Sequence, residues 1–252
     1  MTILLLGGTA EGRALASALD AAGRDVVTSL AGATASRVAV AGSVRVGGFG
    51  GVAGLIEWLR EHGPAAVVDA THPFAAAMTA HAAEACTTVG VPLLRLSRPG
   101  WSGRPDASGW RWVGTHMEAA EAVASWASGS SAGSAGEGGA ILLTVGRQSL
   151  APYRGLTGRR VVARVAEAPE DAPVGWTIVA GRGPFRAENE RALFRRFGVR
   201  VLVTKDSGGP GAKLDVAAGT ELTILEQLHR ALAAGRGVDG ACDLIECHGF
   251  VE

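Results

Sequence analysis

The sequence is short of the residues that mark secreted, metal-bound or nucleic-acid-binding chains. Only three cysteines occur, Cys86, Cys242 and Cys247. Their odd number and lack of a C-x-x-C spacing argue against a disulfide framework or a thiolate zinc site. Cys242, Cys247 and His248 fall close together near the end, but three ligands without a partner group do not make a metal centre, so no metal is expected. Neither charge is in excess, with 24 basic residues against 24 acidic ones. Attraction to nucleic acid or to an anionic membrane is therefore not favoured. No apolar run approaches the roughly 18 residues of a membrane span. The first residues enter a strand directly, with no basic region or cleavage-like site, and the expectation is a cytoplasmic protein. The single tyrosine, Tyr153, is followed four residues later by Thr157. That excludes the Tyr-x-x-x-Lys pair of short-chain dehydrogenases.

What is present is an alternation of buried strands and amphipathic helices. At 252 residues with 47% hydrophobic content, the chain has room for one large or two modest α/β domains. The stretch around which the rest is arranged comes first. An apolar run, Ile3 to Leu6, lacks polar alternation, as a strand buried on both faces of a parallel sheet does. It stops at Gly7-Gly8-Thr9-Ala10-Glu11-Gly12-Arg13, and Ala14, Leu15, Ala18, Leu19 and Ala22 then recur at helical spacing. Strand, tight turn and helix N-terminus together make a phosphate seat, because the first backbone N–H groups of a helix point outward with partial positive charge. The spacing resembles G-x-G-x-x-G, with Gly7 first, Thr9 in place of the middle glycine, and Gly12 third. A ligand-free glycine turn fits the same residues. Glu11 beside a pyrophosphate would be repulsive, so its expected place is toward a ribose hydroxyl or the reacting end of a ligand.

Residues 24–30 read as the second strand. No acidic residue stands where an NAD site would grip the ribose 2′-hydroxyl. Ser29, Gly32 and Arg37 occupy that region, which fits a 2′-phosphate better and favours NADP over NAD. Residues 44–46 form a short third strand, followed by the loop Gly47-Gly48-Phe49-Gly50-Gly51, either a ligand approach or a plain connector. A fourth strand over 65–69 delivers Asp69-Ala70-Thr71-His72-Pro73-Phe74 at its carboxyl end, where ligands gather in open α/β sheets. His72 there suits cofactor contact, proton donation or a structural cap. A helix over 75–89 and a fifth strand over 91–96 close a first domain, 1–96. The second, 97–252, opens on a turn-rich crossover and continues with strands over 110–113, 140–144, 159–165, 176–179 and 199–203. A Ser/Gly/Ala loop at 128–139 carries no function. Of the 24 basic residues only Lys205 and Lys213 are lysines, both in one glycine-rich turn. A compact ammonium facing an anion or carbonyl explains that placing, and chance clustering is the alternative.

Six blocks in order resemble the precorrin-6A reductase family of cobalamin biosynthesis: Gly7 to Arg13, Asp69 to Phe74, Arg98-Pro99-Gly100-Trp101, Leu143-Thr144-Val145-Gly146-Arg147, Arg182-Gly183-Pro184-Phe185 and Thr204-Lys205-Asp206-Ser207-Gly208. The resemblance covers residues 1 to 218. It implies two Rossmann-like or flavodoxin-like α/β domains with mainly parallel sheets and the cofactor in a cleft between them. It also implies an NADPH-dependent oxidoreductase that reduces a double bond of precorrin-6A to give precorrin-6B. Carried over, Gly7, Gly8, Thr9, Glu11, Gly12, Ser29, Gly32, Thr71 and His72 would line the NADP site. Arg98, Trp101, Arg147, Arg182, Lys205, Ser207 and Lys213 would face the substrate. His72, Lys205 or bound water would supply the proton. The partners implied are the tetrapyrrole and, transiently, neighbouring pathway enzymes.

Two departures from the family pattern stand out. Ala33 replaces an arginine that often follows the Ser-Leu-Ala-Gly turn, which passes the expected 2′-phosphate contact to Arg37. Beyond Ala218 the family's Gly-Leu-Pro strand and Arg-Pro turn are not visible; residues 221–234 read instead as an amphipathic helix and 236–252 as an unfamiliar tail. A flat conjugated macrocycle rimmed by carboxylates needs cations and aromatic surface. The strand-end arginines and lysines supply the first, and Trp101, Phe74 and Phe185 the second. Hydride transfer is the cofactor's chemistry, and the protein must hold the two carbons roughly 3–3.5 Å apart. Left open are a reductase of another small molecule, a non-catalytic tetrapyrrole or nucleotide carrier, and a transferase using S-adenosylmethionine.

Overall fold

The computed structural model describes residues 1–31, 39–129, 139–181, 183, 185–209, 211–217, 222–226 and 244–246. Two compact units divide the chain: Met1–Pro99 with Ala233–Glu252, and Gly100–Leu232. The α/β architecture expected from the alternation of elements is present in both. Each holds a six-stranded sheet in which every pairing is parallel.

In the first unit the strands are β1 (Thr2–Leu6), β2 (Asp25–Leu30), β3 (Ser43–Val46), β4 (Ala66–Asp69), β5 (Leu93–Ser97) and β12 (Leu244–Glu246), with helices α1 (Ala10–Ala21), α2 (Gly51–His62) and α3 (Ala76–Val89). Their order is β12-β5-β4-β1-β2-β3, the Rossmann order with β12 in sixth place. Successive side chains of a strand point to opposite faces, so burying three in a row requires cover on both sides. Leu4 and Leu6 pack with Leu55 and Leu59 of α2 and Ala82 and Ala85 of α3. Leu5, between them, packs with Ala16 of α1 on the other face. Glycines in the left-handed region end the helices, Gly63 after α2 and Gly90 after α3.

The second unit comprises β6 (Arg111–Val113), α4 (His116–Gly129), β7 (Ala140–Thr144), β8 (Val161–Val165), β9 (Thr177–Ala180), α5 (Ala187–Phe197), β10 (Val199–Lys205), α6 (Ala212–Ala217) and β11 (Leu222–Glu226). The order here is β6-β11-β10-β7-β8-β9. The same two-faced burial recurs. Ile141 and Leu143 pack with Ala119 and Val123 of α4, and Leu142 with Phe194 of α5 and Leu214 of α6. Tyr153 is fully buried there, its hydroxyl 3.0 Å from Nδ1 of His116.

Two readings of the chain's last part change. The helix expected from residue 221 is replaced at its start by β11, because parallel pairing with both β10 and β6 satisfies the backbone of Leu222–Glu226. The tail expected to lie outside the pattern supplies β12, which pairs with β5 through Leu244↔Arg95, Ile245↔Leu96 and Glu246↔Ser97. Residues 233–252 thus group with the first unit, and the division between the units falls after Pro99. No helix among the described residues is long and apolar enough to cross a membrane.

Candidate active site

In an open parallel sheet, ligands collect at the carboxyl ends of the strands where the winding reverses. In the first unit that point lies between β1 and β4, and in the second between β7 and β10.

At the β1 tip, the N–H of Gly7 donates to the Ser29 carbonyl at 2.9 Å, tying the turn to β2. Gly8 follows with φ +124° and open space around its missing side chain, a conformation that costs any other residue strain. Thr9, where a middle glycine was expected, is the N-cap of α1. Its hydroxyl accepts from the N–H of Gly12 at 3.0 Å and donates to the Ala70 carbonyl at 2.8 Å, so one side chain caps the helix and pins it to the end of β4. A methyl on Gly12 would stand 3.2 Å from Ala70 Cβ and 3.2 Å from Thr9 Oγ1. The third glycine of the motif is therefore a packing glycine.

The β4 tip is organised by Asp69, which is 2% exposed. One carboxylate oxygen accepts from the N–H (3.0 Å) and hydroxyl (2.6 Å) of Thr71; the other accepts from Thr79 at 2.7 Å and lies 3.8 Å from the Arg95 guanidinium. This holds Thr71 and His72 where the strand ends. His72 is exposed, and its Nδ1 accepts the Phe74 N–H at 3.2 Å, which leaves Nε2 as the protonated nitrogen of the neutral ring. Between the tips of β1, β4 and β5 lies a shallow, open hollow lined by Thr9, Glu11, Thr71, Pro73, Leu96, Ser97 and Arg98. In it Arg98 donates to Glu11 at 2.9 Å. The carboxylate that was out of place beside a phosphate is thus neutralised by the arginine from the end of β5. Arg98, expected among the substrate-facing residues, lies beside the β1–α1 turn.

A cation that sequence spacing did not single out completes this edge. Arg45 of β3 is the register partner of Ser29 and donates to its hydroxyl at 3.3 Å. Ser29 is 7% exposed. Gly32 and Arg37 lie outside the described residues.

In the second unit the β7 tip carries Gly146, with φ +85°, and the exposed Arg147. From the β10 tip Lys205 reaches across, its ammonium donating to Ser149 Oγ at 2.9 Å. Ser207 follows, its N–H bonded back to the Lys205 carbonyl. Trp101 is 4% exposed and forms the anchor of this loop: its backbone N–H donates to Asp206 at 2.9 Å and its indole N–H to the Gly209 carbonyl at 2.7 Å. The Lys213 ammonium lies 5.0 Å over the indole ring. Arg147 at the β7 tip and Lys205 and Ser207 at the β10 tip therefore stand on either side of the reversal point, and Trp101 braces the loop after Lys205. Arg182 is outside the described residues, but Phe185, close after it, stacks on Arg164 at 3.9 Å, and Arg164 pairs with the buried Glu190. Phe185 is held against β8 in this way.

The pattern of the family described as "Precorrin-6x reductase CbiJ/CobK" matches residues 2–238. Precorrin-6A reductase of Rhodococcus erythropolis is 42% identical, covering 88% of this chain and 87% of its own length. Cobalt-precorrin-6A reductase of Priestia megaterium is 33% identical, with 88% of each chain covered. A solved structure of CobK precorrin-6A reductase superposes with a TM-score of 0.76 at 33% identity, covering 90% of this chain and 87% of that one. With its two parallel sheets, its glycine turn at one reversal point and its cations at the other, the chain belongs to the precorrin-6x reductase family, and it is an oxidoreductase.

Proposed function

We propose that this protein transfers a hydride from NADPH to one carbon–carbon double bond of precorrin-6A, giving precorrin-6B in cytoplasmic assembly of the corrin ring. The single observation behind the cofactor half is the β1–α1 turn: a capped helix N-terminus at the strand reversal, opened by Gly8 and with its one acidic side chain paired to Arg98. Such a turn suits a pyrophosphate. Family membership supports the macrocyclic substrate.

NADPH supplies the hydride; the residues do the remaining work. Gly7, Gly8, Thr9 and Gly12 shape the phosphate seat, and Ser29 sits where the adenosine ribose belongs in this fold. Glu11, its charge offset by Arg98, is placed for a hydroxyl. At the other reversal point Arg147, Lys205 and Ser207 offer donors to peripheral carboxylates. Reduction of the double bond also consumes a proton. Lys205, hydrogen-bonded to Ser149, and His72, just past the end of β4, are the candidate donors.

The test is anaerobic NADPH oxidation with precorrin-6A, the product identified by mass. Stoichiometric oxidation with a gain of two hydrogens is expected. Tetrapyrrole binding without oxidation would establish a carrier instead, and displacement of NADPH by S-adenosylmethionine a transferase.

A further inference from the structure

The geometry points to Arg45 as the residue that selects NADPH over NADH by holding the 2′-phosphate, an inference that rests on the NADPH reading above. The carboxyl ends of β1, β2 and β3 lie side by side. Leu6 pairs with Ser29 and Ser29 with Arg45, so the Gly7 turn, the Ser29 hydroxyl and the Arg45 guanidinium form one line along the sheet edge. In this fold the pyrophosphate takes the first place and the adenosine ribose the second. An acidic residue at the second place would grip the ribose 2′-hydroxyl, and an arginine nearby would suit a 2′-phosphate. Ser29 stands at that place, and the group beside it is a cation, Arg45.

Arg45 is also held in advance of any ligand. Nη1 donates to Ser29 Oγ at 3.3 Å and to the Gly47 carbonyl, Nη2 donates to the Gly48 carbonyl at 2.9 Å, and the Phe49 ring lies 3.8 Å beneath the guanidinium. Trp58 packs edge-on against Phe49 with centroids 5.9 Å apart, and His62 stacks on Trp58 at 4.2 Å. A guanidinium has five N–H groups, of which three are engaged. No carboxylate among the described residues pairs with it. A half-buried arginine fixed by carbonyls and an aromatic face, with unused donors and no acidic partner, is preorganised for a phosphate. The Gly47–Gly51 loop, which reads from sequence as either a ligand approach or a connector, supplies that support.

The test needs no macrocycle. The full chain is titrated by calorimetry with adenosine 2′,5′-bisphosphate and with adenosine 5′-monophosphate. The wild type should prefer the bisphosphate. Arg45→Ala should weaken the bisphosphate by about 10- to 100-fold and leave the monophosphate nearly unchanged. Arg45→Lys, which keeps the charge without the fork, should fall between, and it carries the test should the alanine variant not fold. A variant that retains the wild-type preference, or that loses both nucleotides alike while melting normally, overturns the role of Arg45 alone. A wild type that binds the two equally, or neither, overturns the NADPH reading and this inference with it.

Discussion

Arg98 reaches from the end of β5 to place its guanidinium 2.9 Å from the Glu11 carboxylate, in the first turn of α1. The pair offsets the negative charge of the first turn's acidic side chain, which would otherwise oppose an anion at that helix N-terminus. Arg98→Ala should therefore weaken NADPH binding by about tenfold, and Glu11→Gln should match or strengthen it. The double variant should bind better than Arg98→Ala alone. Fluorescence titration of all three decides, and additive losses would refute the neutralising role.

Thr9 joins two elements through one hydroxyl. Thr9→Val keeps the shape but removes the cap on Gly12 N–H and leaves the Ala70 carbonyl unpaired. A loss of about 1–2 kcal/mol is expected in denaturant unfolding. Thr9→Ser should lose far less, since its hydroxyl can make both bonds. Equal losses in the two variants would show that the methyl group matters instead.

Lys205 is set by its bond to Ser149 at the tip of β10. Lys205→Ala should lower turnover on the order of 100-fold or more if the ammonium gives the proton, with NADPH affinity little changed. Ser149→Ala should cause a smaller loss and shift the pH profile. An unaltered rate with precorrin-6A in Lys205→Ala would remove this lysine from the active site.

Acid should loosen the bracing of the second unit. The hydrogen bond from Arg104 holds the Asp106 carboxyl below the ordinary aspartate value, and Arg104 also donates to Asp215 of α6 at 2.8 Å. A depressed folded value stabilises above the unfolded value near ~3.9 and is lost as the pH falls through the folded one. Both side chains are partly solvated, so the effect is small. Melting temperature should fall less steeply between about pH 5 and pH 2 in Asp106→Asn than in the wild type; parallel slopes would reject the assignment.

The β1–α1 turn was legible because an unbroken apolar run and three glycines leave few alternatives, and the buried strands β7 and β10 for the same reason. The start of β11 was not. Leu222, Ile224, Leu225 and Leu228 satisfy a helical period as well as a strand's, and the choice is made by β10 and β6, neither of them a sequence neighbour. Arg45 escaped because its meaning depends on Ser29, 16 positions earlier, which becomes adjacent only by strand pairing. Trp101 reads from sequence as an aromatic facing the substrate, and its bonds to Asp206 and Gly209 could not be read, because those residues lie more than 100 positions away. Asp69 reads from sequence only as the last residue of a strand, although its bonds to Thr71 and Thr79 arrange the β4 tip.

The placing of β12 has a consequence for biosynthesis. Residues 244–246 leave the ribosome only after the whole of Gly100–Leu232, so until then the nascent first unit displays β5 as a bare margin. Such a margin invites pairing with another chain. Expression of a fragment ending near Pro99 should accordingly yield inclusion bodies, and co-production of the missing carboxyl-terminal peptide should return it to the supernatant.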